Sequence, residues 1–190
     1  MGTKIYFPIA KSTSYRRLWP LGDSLTEGFP YPQMSEFTYR AHLKKLRPDL
    51  LHVGTLPGGH DGHGGLRTDE LASQVPAWLA EIDRPDIVLV YAGTNDVLQG
   101  VGFALPELIG ALQEHLPAAK ILVARISLWN PESAPVSRFN YEQLDNLVDV
   151  DLVNFETAFP PDQYWLDGLH LNTSGYEHMA QIWFEALANI

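Results

Sequence analysis

Apolar residues recur along this chain in two rhythms. Ile87-Val88-Leu89-Val90-Tyr91 is an unbroken apolar run of strand length, the pattern of a strand covered on both faces. Ile121-Leu122-Val123-Ala124 repeats it, and 18–21, 50–53 and 152–155 are shorter or weaker versions. The first of these carries Pro20, which removes one ladder donor. Between the runs, apolar positions fall three and four residues apart. Tyr39, Leu43 and Leu46 stripe a helix expected over 35–46, with Pro48 beyond its end. Leu71, Val75, Trp78, Leu79 and Ile82 stripe a second from Asp69, which Pro76 is expected to break in two. Leu108, Ile109, Leu112 and Leu116 mark a third, and Leu144, Leu147 and Val148 a weaker one over 141–148. Tyr176, Met179, Ala180, Trp183, Phe184 and Leu187 form the last stripe, opened by the capping-box spacing of Ser174 and Glu177.

Strands alternating with helices predict a parallel sheet covered on both faces. The expected fold is a three-layer α/β/α sandwich around five parallel strands, flavodoxin-like in outline. No repeat or long linker divides 1–190, so one domain is expected. In such sheets ligands sit beyond the carboxyl ends of the strands.

The residues with chemical potential fall in that region. Ser24 follows the first strand, in Leu21-Gly22-Asp23-Ser24-Leu25-Thr26, and Asp167-Gly168-Leu169-His170 precedes the last helix. A serine hydroxyl becomes a useful nucleophile when an imidazole takes its proton and a third group holds that imidazole's tautomer. Ser24, His170 and Asp167 supply these three groups. Two further loops, Asp61-Gly62-His63-Gly64-Gly65 and Gly93-Thr94-Asn95-Asp96, carry glycine and amide donors of the kind that receive an oxyanion.

In order and type these four pieces resemble the four sequence blocks of the SGNH hydrolases, the GDSL esterase/lipase family. The resemblance covers nearly the whole chain. It implies Ser24 as nucleophile, His170 as general base and Asp167 as its orienting carboxylate. It also implies an oxyanion hole from the N–H groups of Ser24 and Gly62 and the Asn95 side chain, with no cofactor. Asp23 and Asp96 are read as structural, fixing their loops through backbone hydrogen bonds. A narrower resemblance, to the carbohydrate esterases that include acetyl xylan esterases, rests on Trp19–Ser24, Asp61–Gly65, Pro85–Val90 and Asp167–Asn172 with Gly175, Tyr176, Met179 and Ala180. Leu66 stands where those sequences often carry Trp, and the region after Asn130 is short. The implied substrate is a small-molecule ester or an acetylated carbohydrate. Tyr164 and Trp165, behind Phe159-Pro160-Pro161, are the candidate wall for a sugar ring.

Composition narrows the partners. A formal charge of −10 argues against a nucleic-acid backbone and against anionic membrane surfaces. There is no cysteine, so neither a disulfide framework nor thiol chemistry is available. The apolar run Ile5–Ala10 is shorter than a signal-peptide core and interrupted by Pro8, and no stretch is long enough to cross a membrane. The chain reads as soluble, and a mature secreted form would read the same. His60, Asp61 and His63 invite a metal reading, extended by His170, but a hydrolytic metal site takes three ligands from separated elements, so no metal ligand is assigned. Within the same chemistry a lysophospholipase, thioesterase or arylesterase stays open, and so do two other classes: a metal-dependent phosphoesterase using Asp23, Asn95, His60, His63 and His170, and a carbohydrate-binding domain without turnover. The loops around Ser24 carry few large apolar residues (Leu98, Phe103, Leu128 and Trp129), which favours a short acyl group over a long chain.

Overall fold

The computed structural model describes residues 15–31, 35–127, 134–188 and 190. The expectations placed on Ile5–Ala10, Leu128 and Trp129 lie outside the described residues.

Five parallel strands lie in the order β2 (Leu50–His52), β1 (Arg16–Gly22), β4 (Ile87–Tyr91), β5 (Lys120–Arg125) and β6 (Asp151–Asn154). A two-residue strand, β3 (Asp61–Gly62), pairs with the end of β1 and was not expected from a glycine-rich stretch. All five residues of β4 are buried, as an unbroken apolar run requires. Pro20 sits in a strand bonded on both sides, and the register explains how. The carbonyls of Leu18 and Gly22 accept from Val53 and His63 respectively, each at 2.9 Å. Pro20 lies between them on the same side of the strand, facing the gap where β2 has ended and β3 has not begun. No ladder donor is needed there.

Helices cover both faces of the sheet. Trp19 turns one way and meets Trp78 of α3 (Thr68–Glu81) edge-on, with ring centroids 6.5 Å apart. Tyr91 turns the other way onto Phe155, which packs on Trp183 of α8 (Thr173–Ala186). Helix α5 (Leu105–His115) packs beside α3, and α2 (Tyr39–Leu46) beside α8. Shorter helices occupy the loops: α1 (Ser24–Glu27), α4 (Thr94–Gln99), α6 (Ala134–Arg138) and α7 (Pro161–Tyr164).

Four sequence expectations change. Pro76 does not divide α3, because it lies on the solvent face between buried Val75 and Trp78, where the carbonyl it leaves unpaired can bond water. The helix expected over 35–46 is a 3₁₀ turn at Ser35–Phe37 followed by α2, with Thr38 as N-cap. The helix expected over 141–148 is absent in that form: α6 runs into a π-turn at Phe139–Gln143. Leu144 is buried beyond it, while Val148 is 69% exposed. Helix α8 is capped by Asn172, whose Oδ1 accepts the Gly175 N–H at 2.9 Å, two residues before the expected Ser174.

Asp23 joins β1 to α1. It is fully buried, and its Oδ1 accepts the Leu25 N–H at 3.0 Å as the helix N-cap. Burial pushes its carboxyl up to about 6, against the pull of the Leu25 N–H. The folded protein therefore holds a proton that the unfolded chain, at about 3.9, has released. Stability is full below the unfolded value, falls as pH climbs through the window from about 4 to 6, and at neutral pH is lower by on the order of 3 kcal/mol. Asp23→Asn keeps a capping oxygen and removes the charge. In urea unfolding it is expected to be stabilised relative to wild type more at pH 7 than at pH 4. A stability difference that does not change between those pH values would rule out a buried, proton-binding Asp23.

Candidate active site

Gly22 pairs with Gly62 on one side and Tyr91 on the other, so β1, β3 and β4 end at one level of the sheet. Ser24 opens α1 just past that level. As the first residue of a helix its N–H has no intrahelical acceptor, and it makes no hydrogen bond among the described residues. Buried Arg40, from α2, closes the other end of α1, donating from Nε to the Thr26 carbonyl and from Nη2 to the Glu27 carbonyl, both at 2.9 Å. The serine thus sits on a helix of one turn pinned at both ends.

The far end of the chain comes to meet it. Ser24 Oγ lies 3.1 Å from His170 Nε2, and His170 Nδ1 lies 2.8 Å from Asp167 Oδ2. Asp167 Oδ1 also accepts the backbone N–H groups of Leu169 (2.9 Å) and His170 (2.7 Å). Partial burial alone would raise the Asp167 carboxyl, but the His170 ring and these N–H donors outweigh it and hold it down at about 2. An ionised Asp167 fixes the proton on Nδ1 and leaves Nε2 to accept from the Ser24 hydroxyl. The loop is closed on itself by the Leu166 N–H to the His170 carbonyl (2.8 Å) and the Asn172 N–H to the Tyr164 carbonyl (2.8 Å).

Of the two donor loops, one behaves differently from expectation. The Gly62 N–H donates to His60 Nδ1 at 3.0 Å, so it is not a free donor. Gly62 is needed for close approach instead: a Cβ there would lie 2.2 Å from the Glu27 nitrogen. The next residues reach the serine. A Cβ on Gly64 would lie 3.6 Å from the Ser24 Cβ, and its N–H donates to Glu27 Oε2 at 3.0 Å. The exposed Gly65 N–H makes no hydrogen bond among the described residues. Half-buried Asn95 donates one Nδ2 hydrogen to the Leu66 carbonyl at 2.9 Å, and its other Nδ2 hydrogen has no partner among the described residues. Asp96 is structural as expected, accepting the Thr68 N–H (3.1 Å) and hydroxyl (2.5 Å). Together Leu66–Asn95 and Thr68–Asp96 lock the glycine loop to α4.

Of the histidine cluster, only His63 and Asp61 come together, with His63 Nε2 3.5 Å from Asp61 Oδ1. Burial, with Arg40 nearby, drives His60 down to about 3, so it is neutral and accepts from Gly62. The Asp61 carboxylate accepts Trp19 Nε1 (2.6 Å) and both the N–H and hydroxyl of Thr55. His63 stacks on Trp78 at 4.7 Å. Among the described residues no three His, Cys, Asp or Glu are placed to hold a metal ion. The aromatic wall is also partly committed: Trp165 Nε1 donates to the Phe159 carbonyl, and Tyr164 stacks on His178.

Sequence reasoning assigned no role to Arg40, Glu27 or Phe29. Arg40 carried a usable signal, a charge between Tyr39 and Leu43 on a helix whose buried face they form. Phe29, whose ring centroid is 4.4 Å from that of His170, carried none.

The GDSL-like lipase/acylhydrolase family matches residues 21–178. A multidomain esterase of Ruminococcus flavefaciens is 27% identical over 90% of this chain and 28% of its own length, so the chain spans little more than a quarter of that relative. An isoamyl acetate-hydrolyzing esterase of Schizosaccharomyces pombe is 23% identical over 85% of this chain and 71% of its own length. The solved structure of a family 3 carbohydrate esterase from Clostridium thermocellum superposes with a TM-score of 0.72 and 25% identity, covering 90% of this chain and 94% of that one. The family match runs from the end of β1 into α8 and takes in Ser24, Asn95, Asp167 and His170. This chain belongs to the GDSL-like lipase/acylhydrolase family and carries a carboxylic ester hydrolase domain.

Proposed function

We propose that this domain hydrolyses short acyl esters, above all acetyl esters of carbohydrates, through a Ser24 acyl-enzyme. The observation that carries the reading is the unbroken line from Asp167 through His170 to Ser24, with steps of 2.8 and 3.1 Å. His170 takes the Ser24 proton as Oγ attacks the ester carbonyl, and Asp167 stabilises the imidazolium that forms. The oxyanion is received by the Ser24 N–H, the second Asn95 amide hydrogen and the Gly65 N–H, which takes the place expected of Gly62. His170 then returns the proton to the departing alcohol. Water, activated in the same way, releases the acid and restores Ser24. No step calls for a cofactor.

The acetyl preference draws on the esterases to which the chain is similar and on the glycine-rich loop beside Ser24, where a Cβ on Gly64 would lie 3.6 Å from the Ser24 Cβ. A second reading has an observation of its own. A cavity of about 620 Å³ at the C-terminal end of α4, the helix that carries Asn95, is lined by Val97, Val101 and Phe103, with Arg138 and Glu142 among its other residues. A longer acyl chain entering it would gain about 0.8 kcal/mol per buried methylene.

Ser24→Ala and His170→Ala are each expected to abolish nearly all hydrolysis of p-nitrophenyl acetate without loss of fold by circular dichroism. In a serine hydrolase such losses reach the order of a million-fold. A Ser24→Ala protein keeping a tenth of wild-type turnover would remove Ser24 from the mechanism.

Asn95→Ala is expected to lower kcat by about 10²–10³ with KM little changed, since its amide strengthens its bond only as charge develops on the oxygen. A raised KM at constant kcat would make Asn95 a ground-state contact.

Across p-nitrophenyl esters of increasing length, kcat/KM is expected to peak at acetate. A peak at eight carbons or more would favour the cavity at the end of α4.

A further inference from the structure

The imidazole of His170 is held on three sides. Asp167 bonds Nδ1, Ser24 faces Nε2, and the ring of Phe29 leans on it with centroids 4.4 Å apart and planes inclined at 50°. The third contact arises from the backbone. The chain leaves α1 through Gly28 at φ +90°, a left-handed turn in which a Cβ would lie 2.3 Å from Thr38 Cγ2. That turn brings Phe29 back over α1, where its N–H donates to the Ser24 carbonyl at 3.0 Å. Its own carbonyl accepts the hydroxyl of buried Tyr176, in the first turn of α8, at 2.6 Å. Phe29 is therefore tied both to the nucleophile's residue and to the helix that follows the His170 loop. Phe29 as a whole nevertheless remains 42% exposed, which is not the placing of a core residue.

We propose that Phe29 is a positioning residue for His170: its ring keeps the imidazole between Asp167 and Ser24 and favours the imidazolium that exists only during acyl transfer. The inference rests on the esterase reading above. A cation beside an aromatic ring is attracted by the ring's quadrupole, whereas the neutral imidazole gains little. The ring also keeps water from one side of the imidazole, so the attraction between imidazolium and Asp167 is less screened. Both effects act on the transition state more than on the enzyme–substrate complex, so the contact belongs to kcat.

The test compares Phe29→Leu and Phe29→Tyr in the full chain, reading kcat and KM for p-nitrophenyl acetate, the rate of Ser24 labelling by a fluorophosphonate, and thermal unfolding. Phe29→Leu is expected to lower kcat about five- to thirtyfold at constant KM, with labelling slowed in parallel. Phe29→Tyr, which keeps the ring, is expected to stay close to wild type. If Phe29→Leu does not fold, Phe29→Met is read in its place. Wild-type kcat in the leucine variant overturns the proposal, as does a raised KM at constant kcat, which would make the ring a wall for substrate. A tyrosine variant as slow as the leucine variant overturns it too. If wild type is labelled at Ser24 and the variants match it, only the positioning role falls. If wild type is neither labelled nor active, the esterase reading falls and takes the proposal with it.

Discussion

The site depends on the register of β1. This strand is bonded on both sides, and its last residue, Gly22, lies level with Gly62 and Tyr91. All partners run parallel, so three segments leave the same edge of the sheet side by side: α1 with Ser24, the glycine loop of 63–66, and α4 with Asn95. A slip of one residue would exchange the two faces of β1. Trp19 would lose both Trp78 and the Asp61 carboxylate, so buried contacts enforce the register that assembles the site.

Around this edge, buried polar groups act as pins. Asp61 holds Trp19 and Thr55, Asp96 holds Thr68, and Arg40 holds the last carbonyls of α1. Each bond lies where water is largely excluded, so a missing partner would leave a buried group unsatisfied at a cost of about 1–3 kcal/mol. The acids with the most buried carboxylates are therefore structural. The carboxylate in line with Ser24, Asp167, belongs to an exposed loop and is kept ionised by N–H donors and the His170 ring.

The two halves of the site are built differently. Ser24 stands on a one-turn helix held by the sheet and by α2. His170 stands on a loop closed by its own hydrogen bonds, from Leu166 to His170 and from Asn172 to Tyr164. Phe29 bridges the halves, bonded through its backbone to Ser24 and Tyr176 and through its ring to His170. The packing of α2, which holds α1, against α8, which follows the His170 loop, brings serine and histidine together across 146 residues of chain.

The sequence by itself determined the layers of this protein and the segments that meet at its candidate site. Unbroken apolar runs and stripes of period 3.6 are local consequences of how each element is buried, so the parallel sheet and its covering helices were legible, as were the Ser24, Asn95, Asp167 and His170 segments. Where a local rule failed, a tertiary contact or an exposure the sequence does not state had overruled it. Pro76 breaks nothing because its face of α3 meets water, and Pro20 sits in a central strand because two partners leave a gap beside it. Gly62 looked like an oxyanion donor by position, yet His60 folds back to take its N–H, while the Gly65 N–H three residues on has no partner among the described residues. The pairing of Ser24 with His170, the pins of Arg40 and Asp96, and the ring of Phe29 on the imidazole all join residues distant in sequence or turned back by a single left-handed glycine. Only the folded chain decides such contacts, because periodicity records whether a side chain is buried and not which partner buries it.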